Sequence, residues 1–360
     1  MSEAAPASTG LPRASAIRFI VLLGVVSLCA DMTYEGARSV TGPYLGMLGA
    51  SAAVVGFISG FGEFLGYALR LLSGYLTDRT GSYWPITFFG YGVNLVAVPL
   101  LALTGRWELA VLLIVAERAG KAIRTPARDA MLSHAGSQTG LGFAFGLHGA
   151  LDQTGAILGP IIVSAALYWK GGYQSGFAIL AVPALAAMLV LAAARHLYPR
   201  PRDLEVTLPD LTAAHLPRRF FVYTAAAALI AAGYADFPLI AYHFGKTGMI
   251  APVFIPLLYS LAMAAEAAAA LFLGHLFDRY GMKVMMFAKL APAFQRGTAY
   301  GIFNAAYGVA WFAGSSLLGL LYERSVVAVA GLSFILQGVA LAVLWRLSRQ
   351  KSETPAISRT

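Results

Sequence analysis

Apolar runs of about 20 residues recur along the whole chain and alternate with short polar or charged connections. A helix of roughly 20 mainly apolar residues crosses the hydrocarbon core of a bilayer, which is about 30 Å thick. The pattern predicts ten such helices, at approximately 16–36, 52–76, 84–104, 108–131, 141–168, 174–195, 219–244, 251–276, 298–322 and 325–347. We therefore expect an all-α polytopic membrane protein whose short connections make neighbouring helices antiparallel.

The composition excludes an ordinary soluble protein. Of the 360 residues, 58% are hydrophobic and only 12% are charged, whereas about 25% are charged in soluble domains. The net charge is +9, but the basic residues form no face with interleaved aromatic residues, so we expect a lipid bilayer and not nucleic acid as the partner. The single cysteine, Cys29, allows no intramolecular disulfide or thiolate metal cluster, and we expect no cofactor.

The distribution of Lys and Arg predicts the orientation. With the N-terminus in the cytoplasm, about 19 of the 26 basic residues, Lys121, Arg124 and Arg128 among them, fall on the inner side and about 5 on the outer side. The remaining two, Arg70 and Arg118, are assigned to the interior of predicted spans. We expect a multi-pass protein of the cell membrane, the inner membrane of a bacterium, with both termini in the cytoplasm.

A Pro-rich, charged interruption divides the predicted spans into groups of six and four. Such a stretch is typical of a linker and cannot cross lipid. The sequence predicts an N-terminal six-helix bundle at 1–195, a cytoplasmic linker at 196–218, a shorter C-terminal bundle at 219–347 and a tail at 348–360.

Two internal repeats with different offsets indicate that the second bundle is shortened. Gly74-Tyr-Leu-Thr-Asp-Arg-Thr-Gly81 and Gly274-His-Leu-Phe-Asp-Arg-Tyr-Gly281 are similar segments 200 residues apart. Ala144-Phe-Gly146 resembles Ala299-Tyr-Gly301, but here the offset is 155. The difference equals about two spans with their loops. We therefore predict that the second half lacks its third and fourth spans, after Gly281.

Two bundles joined in this way, with G-x-L-x-D-R-x-G between the second and third spans, resemble the major facilitator superfamily of secondary transporters. The resemblance covers nearly the whole chain, although Ser82 and Tyr83 stand where the family motif usually ends in basic residues. It implies a cytoplasmic gate, in which a carboxylate paired with a neighbouring span holds one conformational state. The alternative role of the Asp-Arg pairs at the cytoplasmic surface is plain membrane anchoring. The residues assigned to this gate are Gly74, Asp78, Arg79, Gly81, Arg118, Gly274, Asp278 and Arg279.

The fifth span resembles the antiporter motif of the same family. Its small residues and proline are Gly146, Gly155, Gly159 and Pro160, while Val163 and Ser164 replace two expected glycines. This resemblance favours efflux. Close helix packing explains the same residues equally well, because small side chains let helices approach and proline bends them.

Ionisable residues within the spans are the candidate proton or substrate pathway. Charges in a span are costly and usually face the bundle interior or a water-filled cavity. Asp31, Glu35 and Arg38 share one face of the first span, and Asp236 lies at the matching depth of the second half. Glu63 either takes up a proton or forms a fixed ion pair with Arg70 or Arg118.

Several further side chains have more than one interpretation. His148 and Asp152 lie four residues apart in the fifth span, so Asp152 joins the candidate pathway. Glu117, Lys121, Arg124 and Arg128 form a stripe that would meet either an anionic ligand or the lipid surface. We expect aromatic residues near span ends, such as Tyr34, Tyr44, Trp84, Trp107, Trp169 and Tyr173, to be mainly interface anchors.

The function that the resemblance implies is secondary transport, and not an enzymatic activity. No P-loop or H-E-x-x-H pattern is present. We expect a monomer that exports a small organic compound in exchange for protons. The alternatives are a proton-coupled uptake symporter and a truncated, non-transporting paralogue that acts as a sensor or interaction partner.

Overall fold

The computed structural model describes residues 13–201, 218–280 and 296–349, and within these ranges the secondary structure is helical without β-strands. The prediction of an all-α fold is confirmed. Most of the predicted linker and nearly all of the tail lie outside the described residues.

The helices of the first half begin at Arg13, the first described residue, and include most of this half. They are α1 (Arg13–Met47), α2 (Ala52–Thr80), α3 (Tyr83–Leu100), α4 (Trp107–Thr139), α5 (Leu141–Lys170), α6 (Tyr173–Ile179) and α7 (Ala181–Leu197). Those of the second half are α8 (Arg218–Ala232), α9 (Phe237–Thr247), α10 (Ile255–Tyr280), α11 (Arg296–Tyr322) and α12 (Val326–Arg349). Because α6 and α7 together form one pass, as α8 and α9 do, the described helices give ten passes.

Nine of these passes are long and apolar enough to cross a membrane, and the tenth, α4, is long but highly charged. Its 33 residues would extend about 50 Å. Lys121, Arg124 and Arg128 lie within it, well away from its ends, and Arg124 is completely buried. Arg124 therefore packs against neighbouring helices, and the side of the membrane on which these three residues lie stays a prediction. Even without Lys121, Arg124 and Arg128, about 16 basic residues remain on the predicted inner side against about 5, so the orientation is still favoured.

The seventh pass is discontinuous, whereas the apolar pattern predicted an unbroken span. Helix α8 ends at Ala232, α9 begins at Phe237, and Asp236 has an extended conformation at the break. Gly233 lies next to the end of α8, and Pro238 opens α9. The Gly233 carbonyl, which the break frees from a helical hydrogen bond, accepts hydrogen bonds from Ser333 and Gln337 of α12.

The two halves contact each other from one end of the molecule to about its middle. We call this the outer end, following the charge-based orientation; it contains the connection between α1 and α2. The contacts join α1 with α9, α2 with α11, and α5 with α10. Along α2 they extend from Gly56, which faces Ser315 and Gly319, to Tyr67, which faces Gly308. The inner half of α2 beyond Tyr67 exposes Leu71 and Leu72 among the described residues.

The two halves differ in completeness. In the first half, α4 packs against α1, α2, α3 and α5 and so closes the bundle. In the second half, α8, α11 and α12 pack together, but α10 packs mainly against α5 of the first half and makes only slight contact with α9. Within the described part of the chain, no helix in the second half connects α10 to α11 as α4 connects α2 to α5.

Candidate functional site

Charged side chains from α1, α2, α4 and the break before α9 converge between the two halves. Their positions follow from helical periodicity, since residues three or four apart share a face. The charges of α1 face those of α4, and most are buried despite lying within membrane-spanning helices. We call this set the central network; its members are Asp31, Glu35, Arg38, Glu63, Glu117, Arg118, Lys121, Arg124 and Asp236.

Glu63 is the most firmly paired carboxylate of the central network. Its Oε1 lies 3.1 Å from Nη1 of Arg118 and 3.4 Å from Nη2 of Arg38. Both guanidinium groups also donate to the hydroxyl of Tyr34, from Arg38 at 3.0 Å. The fixed-ion-pair interpretation therefore describes Glu63 in this conformation.

Asp236 is held by donors from α11 at the break between α8 and α9. Trp311 Nε1 lies 3.0 Å from each carboxylate oxygen, and the Ser315 hydroxyl donates to Oδ2 at 2.6 Å. Arg38 approaches Oδ1 at 3.7 Å. The carboxylate is only 1% exposed, and it joins the first-half charges to the second half, as its sequence depth predicted.

Glu35 and Asp31 have weaker cationic partners. Glu35 Oε1 lies 3.8 Å from Nζ of Lys121, and Asp31 Oδ1 lies 3.8 Å from Nη2 of Arg124. Glu35 also accepts a 2.5 Å hydrogen bond from the Tyr259 hydroxyl of α10. This bond connects the two halves of the molecule. Each of these carboxylates therefore has a single cation, at a distance longer than either of the ion pairs of Glu63.

Arg124 is a buried cation with few polar partners. Its guanidinium lies 4.1 Å above the Tyr91 ring, and none of its three side-chain nitrogens has a hydrogen-bond partner among the described residues. A buried charge without hydrogen bonds is costly. Among the described residues, Asp31 is the carboxylate within ion-pair distance of Arg124, and it offsets part of this cost.

Asp152 belongs to a second cluster, nearer the inner end. It lies 3.6 Å from His148 Nε2, which in turn lies 3.3 Å from the Ser27 hydroxyl. Arg128 donates to that hydroxyl at 3.1 Å and pairs with Asp129 at 2.8 Å. Asp152 is thus associated with a histidine and not with Lys or Arg at ion-pair distance.

The predicted gate residues lie mostly at the inner end of α2, apart from Arg118. Gly81 has a left-handed backbone (φ 64°), and its N–H caps α2 by donating to Thr77 O, which accounts for glycine at the end of the motif. Asp78 is exposed and makes no hydrogen bond or ion pair with a described residue, while Arg79 donates to Tyr75.

The other gate assignments have different outcomes. A β-carbon added at Gly74 would lie 3.6 Å from Pro126, which is an ordinary van der Waals contact. Arg118 lies near the middle of α4 and points towards α1 and α2, where it pairs with Glu63 of the central network. This location is away from the inner end, where the other gate residues of the first half lie. Gly274, Asp278 and Arg279 lie in the last turns of α10, and their side chains are outside the described part.

The antiporter-like motif forms the contact between α5 and α1. A side chain at Gly155 or Gly159 would collide with the backbone carbonyls of Leu28 and Met32, whereas Gly146 has open space beside it. Pro160 is buried within α5. The packing interpretation accounts for Gly155 and Gly159, and a coupling role stays a prediction.

Several residues around the network were missed or misplaced by sequence reasoning. Tyr34 and Tyr44 are buried and not interface anchors, since they lie on the same α1 face as the charges or on the adjoining core face. The contact of Tyr259 with Glu35 had no local signal. Trp311 and Ser315 are four residues apart, so their common face was detectable, but their target was not.

The comparison with known families decides the classification of this arrangement. Residues 23–294 match the family model described as Major Facilitator Superfamily, which is more than half of the chain. The chain belongs to the major facilitator superfamily.

Two similar proteins align over nearly the whole chain. An uncharacterized protein of Mycobacterium tuberculosis (strain ATCC 25618 / H37Rv) is 37% identical and aligns over 93% of this chain and 94% of its own length. An uncharacterized MFS-type transporter of Methanocaldococcus jannaschii is 27% identical, with coverage of 91% and 89%.

Solved major facilitator structures share the fold at low sequence identity. A peptide transporter POT in complex with sulfate has a TM-score of 0.70 at 14% identity and covers 92% of this chain and 95% of its own. The nucleoside transporter NupG has a TM-score of 0.56 at 15% identity, with coverage of 92% and 88%.

The mycobacterial alignment indicates that the relative has residues that this chain lacks. It extends over 385 positions but includes only 93% of this 360-residue chain, about 335 residues, so about 50 positions of the relative face gaps here. That length corresponds to two spans with their loops, which is the size that the two repeat offsets predicted.

Proposed function

We propose that this major facilitator protein is a proton-coupled secondary transporter that exports a small organic compound by alternating access. Transporters of this architecture bind substrate and coupling ions near the bilayer midplane, at the interface of their repeats. The central network has this position. It combines buried carboxylates of the first half with Asp236, which lies at the broken helix of the second half.

The observation that supports proton coupling most strongly is the unequal pairing of the carboxylates. Glu63 contacts two guanidinium groups, and Asp236 accepts hydrogen bonds from two donors, the Trp311 N–H and the Ser315 hydroxyl. Asp31 and Glu35 each face one cation at 3.8 Å. A carboxylate with weaker stabilisation of its anionic form accepts a proton more readily. We therefore assign proton uptake to Asp31 and Glu35, and structural pairing to Glu63 and Asp236.

The hydrogen bond between Tyr259 and Glu35 supplies a route from protonation to movement. Tyr259 belongs to α10 and Glu35 to α1, so separation of the two halves would remove this donor from the carboxylate. Loss of a donor disfavours the ionised form. Protonation of Glu35 and opening of the outer end would consequently favour each other, which is the linkage that coupled transport requires.

Export is favoured over uptake by the antiporter-like motif of α5, and the structure is compatible with substrate entry from the inner end. On the outer side of the central network, the cavity lined by Arg38, Ser59 and Arg118 has a volume of about 20 Å³, enough for one water molecule. A proton-coupled uptake symporter would use the same network with the opposite direction of substrate movement.

The test uses the pH-sensitive dye pyranine inside proteoliposomes with an imposed pH gradient. A library of small organic compounds is screened for those that change the internal pH in the presence of the unaltered protein. We expect Glu35→Gln to abolish this response for an active compound while exchange of the compound continues. Glu108→Gln is the matched control, because Glu108 is an exposed residue at the start of α4 and pairs with Arg106.

A full pH response in both Glu35→Gln and Asp31→Asn would refute the assignment and leave Asp152 as the better candidate. A non-transporting role is the second candidate, because α10 packs mainly with the first half and not with its own bundle. Absence of any compound-dependent proton movement by the unaltered protein, at verified reconstitution, would favour that role.

A further inference from the structure

The second half lacks the helix that would close its wall towards the membrane. By the repeat offsets, α10 and α11 correspond to α2 and α5 of the first half. There, α4 packs against both α2 and α5. Among the described residues no helix occupies the equivalent place between α10 and the group formed by α8, α11 and α12. We call this place the side opening.

The connection that follows α10 is too short to replace such a helix. Residues 281–295 comprise 15 residues, which even as one continuous helix would extend about 22 Å, less than the hydrocarbon thickness of about 30 Å. The two spans that the repeat offsets predict to be absent would have supplied the missing length.

Aromatic side chains form the wall beside the side opening. Phe303, Tyr307 and Trp311 follow each other at intervals of four along α11, with ring centroids 5.7 and 5.6 Å apart. Tyr234, next to the break after α8, contacts Trp311 at 5.6 Å and is 48% exposed. Trp311 also donates to Asp236, so the aromatic wall adjoins the central network.

The second-half helices beside the side opening have exposed outer surfaces. Glu266 of α10 is one of the exposed residues. On either side of the opening, the membrane-facing surfaces of α10 and α12 are strongly apolar, with Leu261, Phe334 and Ile335 all more than 60% exposed. An acyl chain at the side opening would therefore have apolar surface on both flanking helices.

We infer that the side opening between α10 and α11 connects the central network with the bilayer hydrocarbon, and that acyl chains reach the aromatic wall at Trp311. Such an opening admits membrane-dissolved amphiphiles, whose apolar body would lie along the aromatic residues while a polar head meets the central network. The substrate class, an amphiphile that enters from the membrane, depends on the proposed transport function. The opening itself does not.

The experiment measures contact between acyl chains and Trp311 by fluorescence quenching. The other four tryptophans are replaced by phenylalanine, and the protein is reconstituted in phosphatidylcholine that carries bromine near the middle of its acyl chains. Two matched variants with a single tryptophan serve as references. One retains only Trp84, which is 5% exposed in the core of the first half, and the other has Phe334→Trp, at an 81% exposed position of α12.

We expect bromolipid to quench Trp311 at least half as strongly as the tryptophan at position 334, and Trp84 much less. Quenching of Trp311 no stronger than that of Trp84 would overturn the inference, and so would quenching by aqueous acrylamide without quenching by bromolipid. Because the measurement needs no substrate and no transport, its result is independent of the pyranine assay. Each variant is first checked by size-exclusion chromatography for native elution.

Discussion

Gly56 lies at the closest approach of α2 to α11 and offers a direct test of how the outer end closes. A β-carbon at this position would collide with the Ser315 carbonyl oxygen and lie 2.8 Å from the Cα of Gly319. Both atoms belong to backbone, so they cannot rotate away. We expect Gly56→Ala to destabilise the outward-closed conformation selectively, since the contact disappears when the halves separate there.

The size of the effect follows from the overlap. Ordinary contact begins near 3.4 Å, so α2 and α11 would have to separate by at least about 0.6 Å, and overpacking of this kind costs about 1–3 kcal/mol. One factor of ten corresponds to about 1.4 kcal/mol. The ratio of outward-closed to outward-open molecules should therefore fall about 5- to 150-fold.

The assay is the rate at which a membrane-impermeant maleimide labels a cysteine behind the outer contact. Ser59 lines the 20 Å³ cavity, so Ser59→Cys in a Cys29→Ser background reports outward opening. Gly66→Ala is the matched control on the same helix, because no atom lies within 4 Å of the β-carbon it would add. Both substitutions raise helix propensity by a similar amount, about 1 kcal/mol.

Labelling should accelerate in Gly56→Ala and remain at the parental rate in Gly66→Ala. Equal rates in the two variants, with both proteins folded, would refute the conclusion that this helix contact holds the outer end closed.

Three other predictions concern charges outside the spans. Hydrogen bonds from the Ser51 hydroxyl and then from the Ala53 N–H, which donates at 3.2 Å, lower the pKa of Glu323. These bonds join the two halves and are strongest with the ionised carboxylate. The contact should therefore weaken as the pH falls through the lowered pKa of Glu323. The accessibility of the cysteine, given by its labelling rate relative to that of a free thiol at the same pH, should consequently increase in acid. Glu323→Gln should remove this increase. Asp78→Asn should reduce transport with little loss of folded protein, as measured by flux and size-exclusion chromatography, and normal flux would leave only an anchoring role. Reporter fusions at the C-terminus and at Arg106 should give opposite signals, and identical signals would contradict the orientation.

The passes were predictable because each depends on local hydrophobicity, whereas breaks within them were not. Gly and Pro are tolerated in membrane helices when neighbours satisfy the freed backbone groups. The apolar run across the seventh pass therefore looks continuous, and the break at Gly233 depends on Ser333 and Gln337, about 100 residues later. Asp236 could nevertheless be placed at the correct depth from the internal repeat.

The candidate site was predictable in its members but not in its pairing. Helical spacing puts Asp31, Glu35 and Arg38 on one face, as the structure shows. The choice of partner depends on how helices approach in three dimensions, so the assignment of Arg118 to the gate failed while its alternative pairing with Glu63 is observed. The Tyr259 contact with Glu35 requires α10 to cross to the first half, and no local pattern specifies that.

The broken pass also bears on which helices a transporter of this kind can lose. A polar group in the hydrocarbon region has no water to bind, so it needs a partner within the protein. Three retained passes of the second half supply such partners. Helix α10 provides Tyr259 for Glu35, α11 provides Trp311 and Ser315 for Asp236, and α12 supports the backbone at the break. Deleting any of these would strand a buried group in lipid. We therefore expect this half to tolerate only some deletions. The helices that remain are those whose removal would leave buried polar groups without hydrogen-bond partners.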